Sequence, residues 1–248
     1  MKVGLTYNLK KDVRDSDGLP EDFYAECDDL DTVEAVKAAL AKRHGSVVMI
    51  EADEDAYERL KKERPGIVFN MAEGVWGESR ESQMPAIMEM LRIPYTGSSP
   101  LTLALCLNKA RTKEILSYYD IPTPRFIVAR DPSLDIERYL RFPMIVKPLL
   151  EGSSKGIYND SLVHDSKSLR SKISSVIEGY RQPALVEEYL GGREFTVALV
   201  GNGGELRTLP IVEINYSTLP VGVNHIYSYE AKWVLDTPDA PLDIFVCP

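Results

Sequence analysis

The chain has 248 residues, 44% of them hydrophobic and 27% charged, long enough to bury real cores without staples and too ordinary in composition for a disordered, collagen-like or coiled-coil protein. Its 29 Lys and Arg against 38 Asp and Glu give a net charge of -9, which excludes a broad nucleic-acid or anionic-membrane footprint but not a local phosphate site. Cys27, Cys106 and Cys247 form no C-x-x-C spacing, so a reducing, cytoplasmic setting is expected rather than a disulfide framework or a cysteine zinc site. The N-terminus passes straight into a strand-like run, and no apolar stretch reaches about 18 residues, so secretion and membrane spanning are both disfavoured.

Strand and helix signals alternate over the first hundred residues. Lys2 to Tyr7 reads as a short buried strand, and Asp31 to His44 as a helix with Val33, Val36, Ala39 and Leu40 on one face. Asp31 and Glu34 have the spacing of a capping box, and Gly45 sits where a left-handed C-cap is wanted. A second strand over Ser46 to Glu51, a helix over 54–63 and a third strand over Gly66 to Asn70 predict a parallel sheet. The loop from Ala72 to Glu78 then follows the carboxyl end of a strand, where open α/β sheets place ligands.

Helical signals cover 99–119, with Lys109 opening a helix from Asn108 to Tyr119. The turn Ile121 to Pro124 ends them, and Arg125 to Val128 reads as extended. Phe142 to Pro148 is an apolar strand carrying Lys147 near its end, followed by the glycine- and serine-rich loop Glu151 to Ile157. This loop lies between two strand candidates, not between a strand and a helix. After a helix over 166–179, Ala184 to Leu190 is extended, and Glu194 to Val200 and Leu206 to Ile214 form a hairpin around Gly201-Asn202-Gly203-Gly204. No internal repeat or low-complexity segment occurs.

Flexible backbone, hydroxyls and a cation are what a loop needs to close over phosphate oxygens, and Lys147, Gly152, Ser153, Ser154 and Gly156 supply them. The spacing is not that of a P-loop, and taken alone the segment reads equally well as an ordinary turn. Glu187-Glu188-Tyr189-Leu190 with Glu194 could read an adenine ring and ribose hydroxyls, although the same residues suit a solvated strand end. Lys109 and Lys232 are further cations within reach of a polyphosphate. His44, His164 and His225 are isolated, so zinc chemistry has little support, and no serine-hydrolase elbow is present. Asn215-Tyr216-Ser217 matches a glycosylation acceptor, which is read as a chance match because secretion is not expected.

Taken together and in order, these segments resemble the D-alanine–D-alanine ligase group of ATP-grasp carboxylate-amine ligases. The resemblance runs through Val68-Phe69-Asn70, Ile93 to Ser98, Asn108 to Lys113, Val146-Lys147-Pro148, Glu151 to Gly156, Val186 to Leu190, Gly192 to Thr196 and Tyr229 to Lys232. It implies an α/β and α+β chain: an N-terminal Rossmann-like parallel-sheet domain over 1–97, a central ATP-grasp lobe over 98–183 and part of a second lobe over 184–248. It also implies ATP, magnesium and a small amino-acid or peptide substrate, with a carboxylate activated as an acyl phosphate before an amine attacks. Lys109, Lys147 and Lys232 would contact the phosphates, with Ser153, Ser154 and their backbone closing over them. Lys147, Ser153 and Lys232 would be the catalytic set; Glu187, Glu188, Tyr189 and Leu190 would read adenine, and Glu194 ribose.

Three departures shape the expectation. Tyr7 to Asp12 stands where the family carries a glycine-rich turn and a glutamate. Glu73 replaces a histidine, and Trp233 a tyrosine. These imply a substrate other than D-alanine. Relatives also continue beyond the segment resembling Leu242 to Pro248 with strands that hold the metal, so no magnesium ligand is assigned and this form is expected to be incomplete, weak or inactive. A non-catalytic nucleotide-binding protein is the alternative, and a homodimer is a possible assembly.

Overall fold

A computed structural model describes residues 1–10, 18–237, 241–242 and 244–247. The expectations attached to Lys11, Asp12, Asp243 and Pro248 lie outside the described residues. Contacts divide the chain into two units, one of Met1–Thr123 with Leu149–Ser153 and the other of Pro124–Pro148 with Ser154–Pro248.

The first unit is built on a parallel sheet. β1 (Lys2–Tyr7) lies between β2 (Ser46–Glu51) and β3 (Ile67–Asn70), in the predicted positions. Gly4 permits the close approach of β1 and β3, since a Cβ there would sit 3.0 Å from Val68. The helix α1 (Leu30–Ala41) buries Val33 against Leu5 and Tyr7, with Val36 and Leu40 half-buried beside it. Ala39 is exposed, because it falls about a third of a turn away from that stripe. The expected capping box is not formed: Asp29 takes the N-cap position without a side-chain bond, and Asp31 lies inside the first turn. Gly45 is no left-handed cap either, as its N–H pairs with the Met1 carbonyl.

α2 (Ala56–Glu63) and α3 (Arg80–Leu91) complete a second core, in which Leu60, Met84 and Met88 pack with Ile50 and Val68. α4 (Pro100–Leu107) and α5 (Lys109–Tyr118) are separated by Asn108, whose extended backbone breaks the run while its side chain accepts from the Arg111 N–H. The contact boundary falls after Thr123 rather than near Ser98, because α4 packs on α3 and α5 on α4.

In the second unit β4 (Phe126–Ala129), β5 (Met144–Pro148), β6 (Leu162–Val163) and β7 (Ala184–Glu188) form an antiparallel sheet in the order β4-β7-β5-β6. β7, read from sequence as the start of a third region, is an inner strand of this sheet. α6 (Ser166–Tyr180), capped by Asp165 accepting from the Ser168 N–H, buries Leu169, Ile173 and Val176 against Met144, Val146 and Val186.

The predicted hairpin is present but interrupted. β9 (Leu199–Val200) pairs with β10 (Arg207–Thr208), and β8 (Glu194–Thr196) with β11 (Val212–Ile214). Between them Val197 and Ala198 face Leu209, Pro210 and Ile211, so the return strand carries one extra residue where Pro210 has no N–H to give. β12 (Phe245–Val246) pairs along the other edge of β11.

Candidate functional site

The second unit contains a cavity of about 390 Å³ between the ends of β5, β7 and β8 and the segment from Tyr216 to Tyr227. Its size lies within the range of small-molecule sites, roughly 300–1,000 Å³. Six of the residues singled out from sequence line it together: Lys147, Glu187, Glu188, Tyr189, Leu190 and Glu194. Lys147 reaches it because side chains alternate along β5, where Met144, Val146 and Pro148 are buried in the core and Ile145 and Lys147 take the other face.

Lys147 pairs with Glu187, which stands on the neighbouring strand and is only 5% exposed. Two charges this far from water are costly to bury, so the pair depends on mutual neutralisation and fixes the ammonium at the cavity wall. Glu188 turns to the protein instead, accepting from the Arg141 N–H at 3.2 Å. The backbone N–H groups of Glu188 and Tyr189 already donate to the carbonyls of Arg125 and Pro143. Those two donors are therefore taken up by the protein itself. Ile145, Ile157, Leu190 and Ile226 supply apolar walls for a flat ring.

Glu194, also lining the cavity, opens β8, and the Tyr216 hydroxyl donates to its Oε2 at 2.5 Å. Burial and the adjacent Glu194 both push the Tyr216 phenol well above its ordinary pKa. Tyr189 donates its hydroxyl to the His225 carbonyl at 2.8 Å. Tyr216 and His225 were not singled out as site residues. The tripeptide Asn215-Tyr216-Ser217 is an Asx turn, Asn215 Oδ1 accepting from the Ser217 N–H at 3.0 Å, and an Asx signal directly after a strand could have located it.

The remaining candidates stand elsewhere. Ser154 and Lys232 belong to the second unit but do not line the cavity. The Ser154 hydroxyl donates to the carbonyl of Tyr227, a lining residue, at 2.7 Å. Lys232 lies in the wide turn Glu230–Leu235, its ammonium 4.9 Å from the Trp233 ring centroid. Ser153 and Ser154 both have left-handed backbone, at φ 49 and 63, and Gly156 (φ 74) has no room for a side chain, since a Cβ would lie 2.2 Å from Pro148.

Lys109 and Ser153 belong to the first unit. Lys109 donates its ammonium to the Glu151 carbonyl. The same loop is held by Arg80, a residue missed in the sequence reading. Its guanidinium gives Nε and Nη2 to Glu26 at 3.1 and 2.8 Å, Nη2 also to Glu151 at 3.0 Å, and Nη1 to the Leu150 carbonyl at 2.9 Å. Burial disfavours its charge, but Glu26 and Glu151 more than offset this and hold its pKa above the usual value. Nearby Glu73 is pushed from 4.5 to about 7, first by burial and then by Glu81 and Glu26.

Among the described residues no group of three or more His, Cys, Asp or Glu side chains is placed to hold a metal ion. No helix among them is long and apolar enough to cross a membrane.

With a parallel-sheet unit followed by an antiparallel sheet, the chain has the ATP-grasp fold of the solved ligases that it is similar to. The match to known proteins narrows the class. Residues 116–245 match the family described as "D-ala D-ala ligase C-terminus", and the chain belongs to the D-alanine–D-alanine ligase-like family. A D-alanine–D-alanine ligase of Pelotomaculum thermopropionicum is 34% identical over 85% of this chain and 65% of its own length. An uncharacterised protein of Sinorhizobium fredii is 39% identical over 73% of this chain and 54% of its own. In three dimensions the chain is similar to the D-alanine–D-alanine ligase of Bacillus anthracis, with a TM-score of 0.67, 26% identity, and coverage of 87% of this chain and 64% of that one. That enzyme has also been solved with ATP. This chain thus spans about half to two-thirds of the length of these relatives.

Proposed function

We propose that this chain binds ATP in the cavity of its second unit and serves an ATP-dependent carboxylate-amine ligase of the D-alanine–D-alanine ligase type. The observation that carries the reading is the placement in one cavity of a fixed ammonium, Lys147, an apolar slot and a carboxylate, Glu194. ATP would supply the phosphoryl group that activates a substrate carboxylate. Lys147 would hold phosphate oxygens electrostatically, Ile145, Leu190 and Ile226 would clamp the base, and Glu194 would accept from sugar hydroxyls. The phosphate roles of Lys109, Ser153, Ser154 and Lys232, and a magnesium ion, belong to the same proposal by family likeness.

The acceptor or donor substrate is an amino acid or peptide other than D-alanine. Glu73 supports this, because it places a half-buried carboxyl among Glu26, Glu81 and Asp28 where the family pattern has a histidine. Calorimetric titration tests the nucleotide step: the wild-type chain takes up ATP, and Lys147→Ala weakens binding about 10- to 100-fold, the loss of one charge-assisted contact. Absence of binding by the folded wild type rejects the reading. Phosphate release screened over amino-acid pairs tests the ligase step, and ATP binding with no release for any pair favours a nucleotide-binding protein without chemistry.

A further inference from the structure

The assignment of the cavity to ATP leaves Tyr216 and His225 without a role, although both line it. Resting on that assignment, we propose that Tyr216 is a positioning residue for Glu194, and that the pair makes the cavity selective for nucleotides carrying the 2′,3′-diol of ribose.

Glu194 is exposed at the start of β8. A glutamate in that position has several rotamers open to it, and ordering it on ligand binding would cost affinity. The Tyr216 hydroxyl removes that freedom by donating to Oε2 at 2.5 Å. Tyr216 can do so because it is itself fixed, at 8% exposure. Ile214, two residues before it, pairs with Glu194 in the ladder and sets the register. Asn215 then turns the chain, its N–H going to the Ile244 carbonyl at 2.7 Å and its Oδ1 receiving the Ser217 N–H.

His225 closes the outer side. Its ring stacks on that of Tyr216 with centroids 5.8 Å apart and planes at 20°, and its carbonyl receives the Tyr189 hydroxyl. A continuous relay of contacts therefore runs from Tyr189 at the end of β7, through His225 and Tyr216, to Glu194. An ionised carboxylate only accepts hydrogen bonds, and it has about four lone-pair sites. With one site taken by Tyr216, the held carboxylate presents acceptors in fixed directions, and a vicinal diol can meet it with two hydroxyl donors from adjacent carbons at once.

The test compares ATP with 2′,3′-dideoxy-ATP, which lacks both hydroxyls, by calorimetry on the whole chain. Wild type is expected to prefer ATP at least about tenfold, the worth of hydrogen bonds to a charged group. Tyr216→Phe should weaken ATP several-fold while leaving dideoxy-ATP within about twofold, so the preference collapses. A packing role alone would weaken both nucleotides equally and keep the preference, which overturns the proposal. Because the ratio is internal to each variant, loss of stability does not imitate the effect. Glu194→Gln, made on the exposed partner, should collapse the preference as well, and adding Tyr216→Phe to it should change the ratio no further. A wild type that binds both nucleotides alike overturns this inference and leaves the ATP reading standing; one that binds neither overturns both.

Discussion

Each unit of the molecule buries an ion pair, and the two are built for different ends. In the first, Arg80 is 5% exposed and every arm of its guanidinium meets a protein acceptor. In the second, Lys147 has Glu187 as its carboxylate partner and faces a cavity. A planar fork can have all three of its nitrogens engaged by two carboxylates and a carbonyl, whereas an ammonium with three donors at a cavity wall keeps capacity for an incoming anion. The comparison teaches that burial of a charge does not by itself mark a working site. What separates clamp from site is whether the cation's remaining donors are consumed by the protein or point into open space.

The sharpest way to break this contrast is Arg80→Ala. It should cost about 3–5 kcal/mol in urea or thermal unfolding, because Glu26 and Glu151 would remain buried without their counter-charge. A cost under about 1 kcal/mol would mean that the network is not a clamp. Glu73→Gln probes the same surroundings through pH. The Glu73 carboxyl titrates near 7 when folded against 4.5 as its ordinary value, so the folded state holds the extra proton. Stability from this group is therefore full below about pH 4.5 and falls as pH rises towards 7 and above. The variant should match wild type near pH 4.5 and exceed it at pH 8, by at most about 3 kcal/mol. Melting curves at the two pH values check this, and an equal difference at both would remove the titration from the account. Ser153→Gly should have the smallest effect. It relieves a left-handed backbone that costs about 1–2 kcal/mol in an L-residue, against roughly 0.5–1 kcal/mol of added chain entropy in the unfolded state. These nearly cancel, and whatever the Ser153 side chain contributes is lost besides, so a change of no more than about 1 kcal/mol in the same melts is expected; a larger gain would show that the left-handed backbone is under more strain than an L-residue there ordinarily bears.

Much of the scaffold was legible because it is encoded locally. β1, β2 and β5 follow from short apolar runs and the turns around them, and the break before Lys109 from an asparagine that can cap, whereas the two-residue β6 carries no such signal. α3 escaped notice because Pro85 stands inside it and interrupts a helical pattern that Met84, Met88 and Leu91 otherwise keep. The capping box at Asp31 failed because the chain enters α1 two residues earlier, with Asp29 at the cap. Of the residues that the family motifs single out, Lys147, the end of β7 with the residues after it, and Glu194 line one cavity. Arg80 could not be found this way, since its acceptors lie 54, 70 and 71 residues along the chain. Tyr216 is hidden differently: its tripeptide fits a glycosylation acceptor and an Asx turn equally well, and only the fold shows the turn.

The loop Leu149–Ser153 counts with the first unit while the strand before it and the residues after it count with the second. Its consequence appears when the molecule is considered as an object to be dissected. A fragment ending at Thr123 would keep Arg80 and Glu26 but lose the Leu150 carbonyl and the Glu151 carboxylate, leaving a guanidinium with part of its shell missing at the start of α3. Neither unit is a contiguous length of polypeptide, so no single cut of the chain liberates one of them whole.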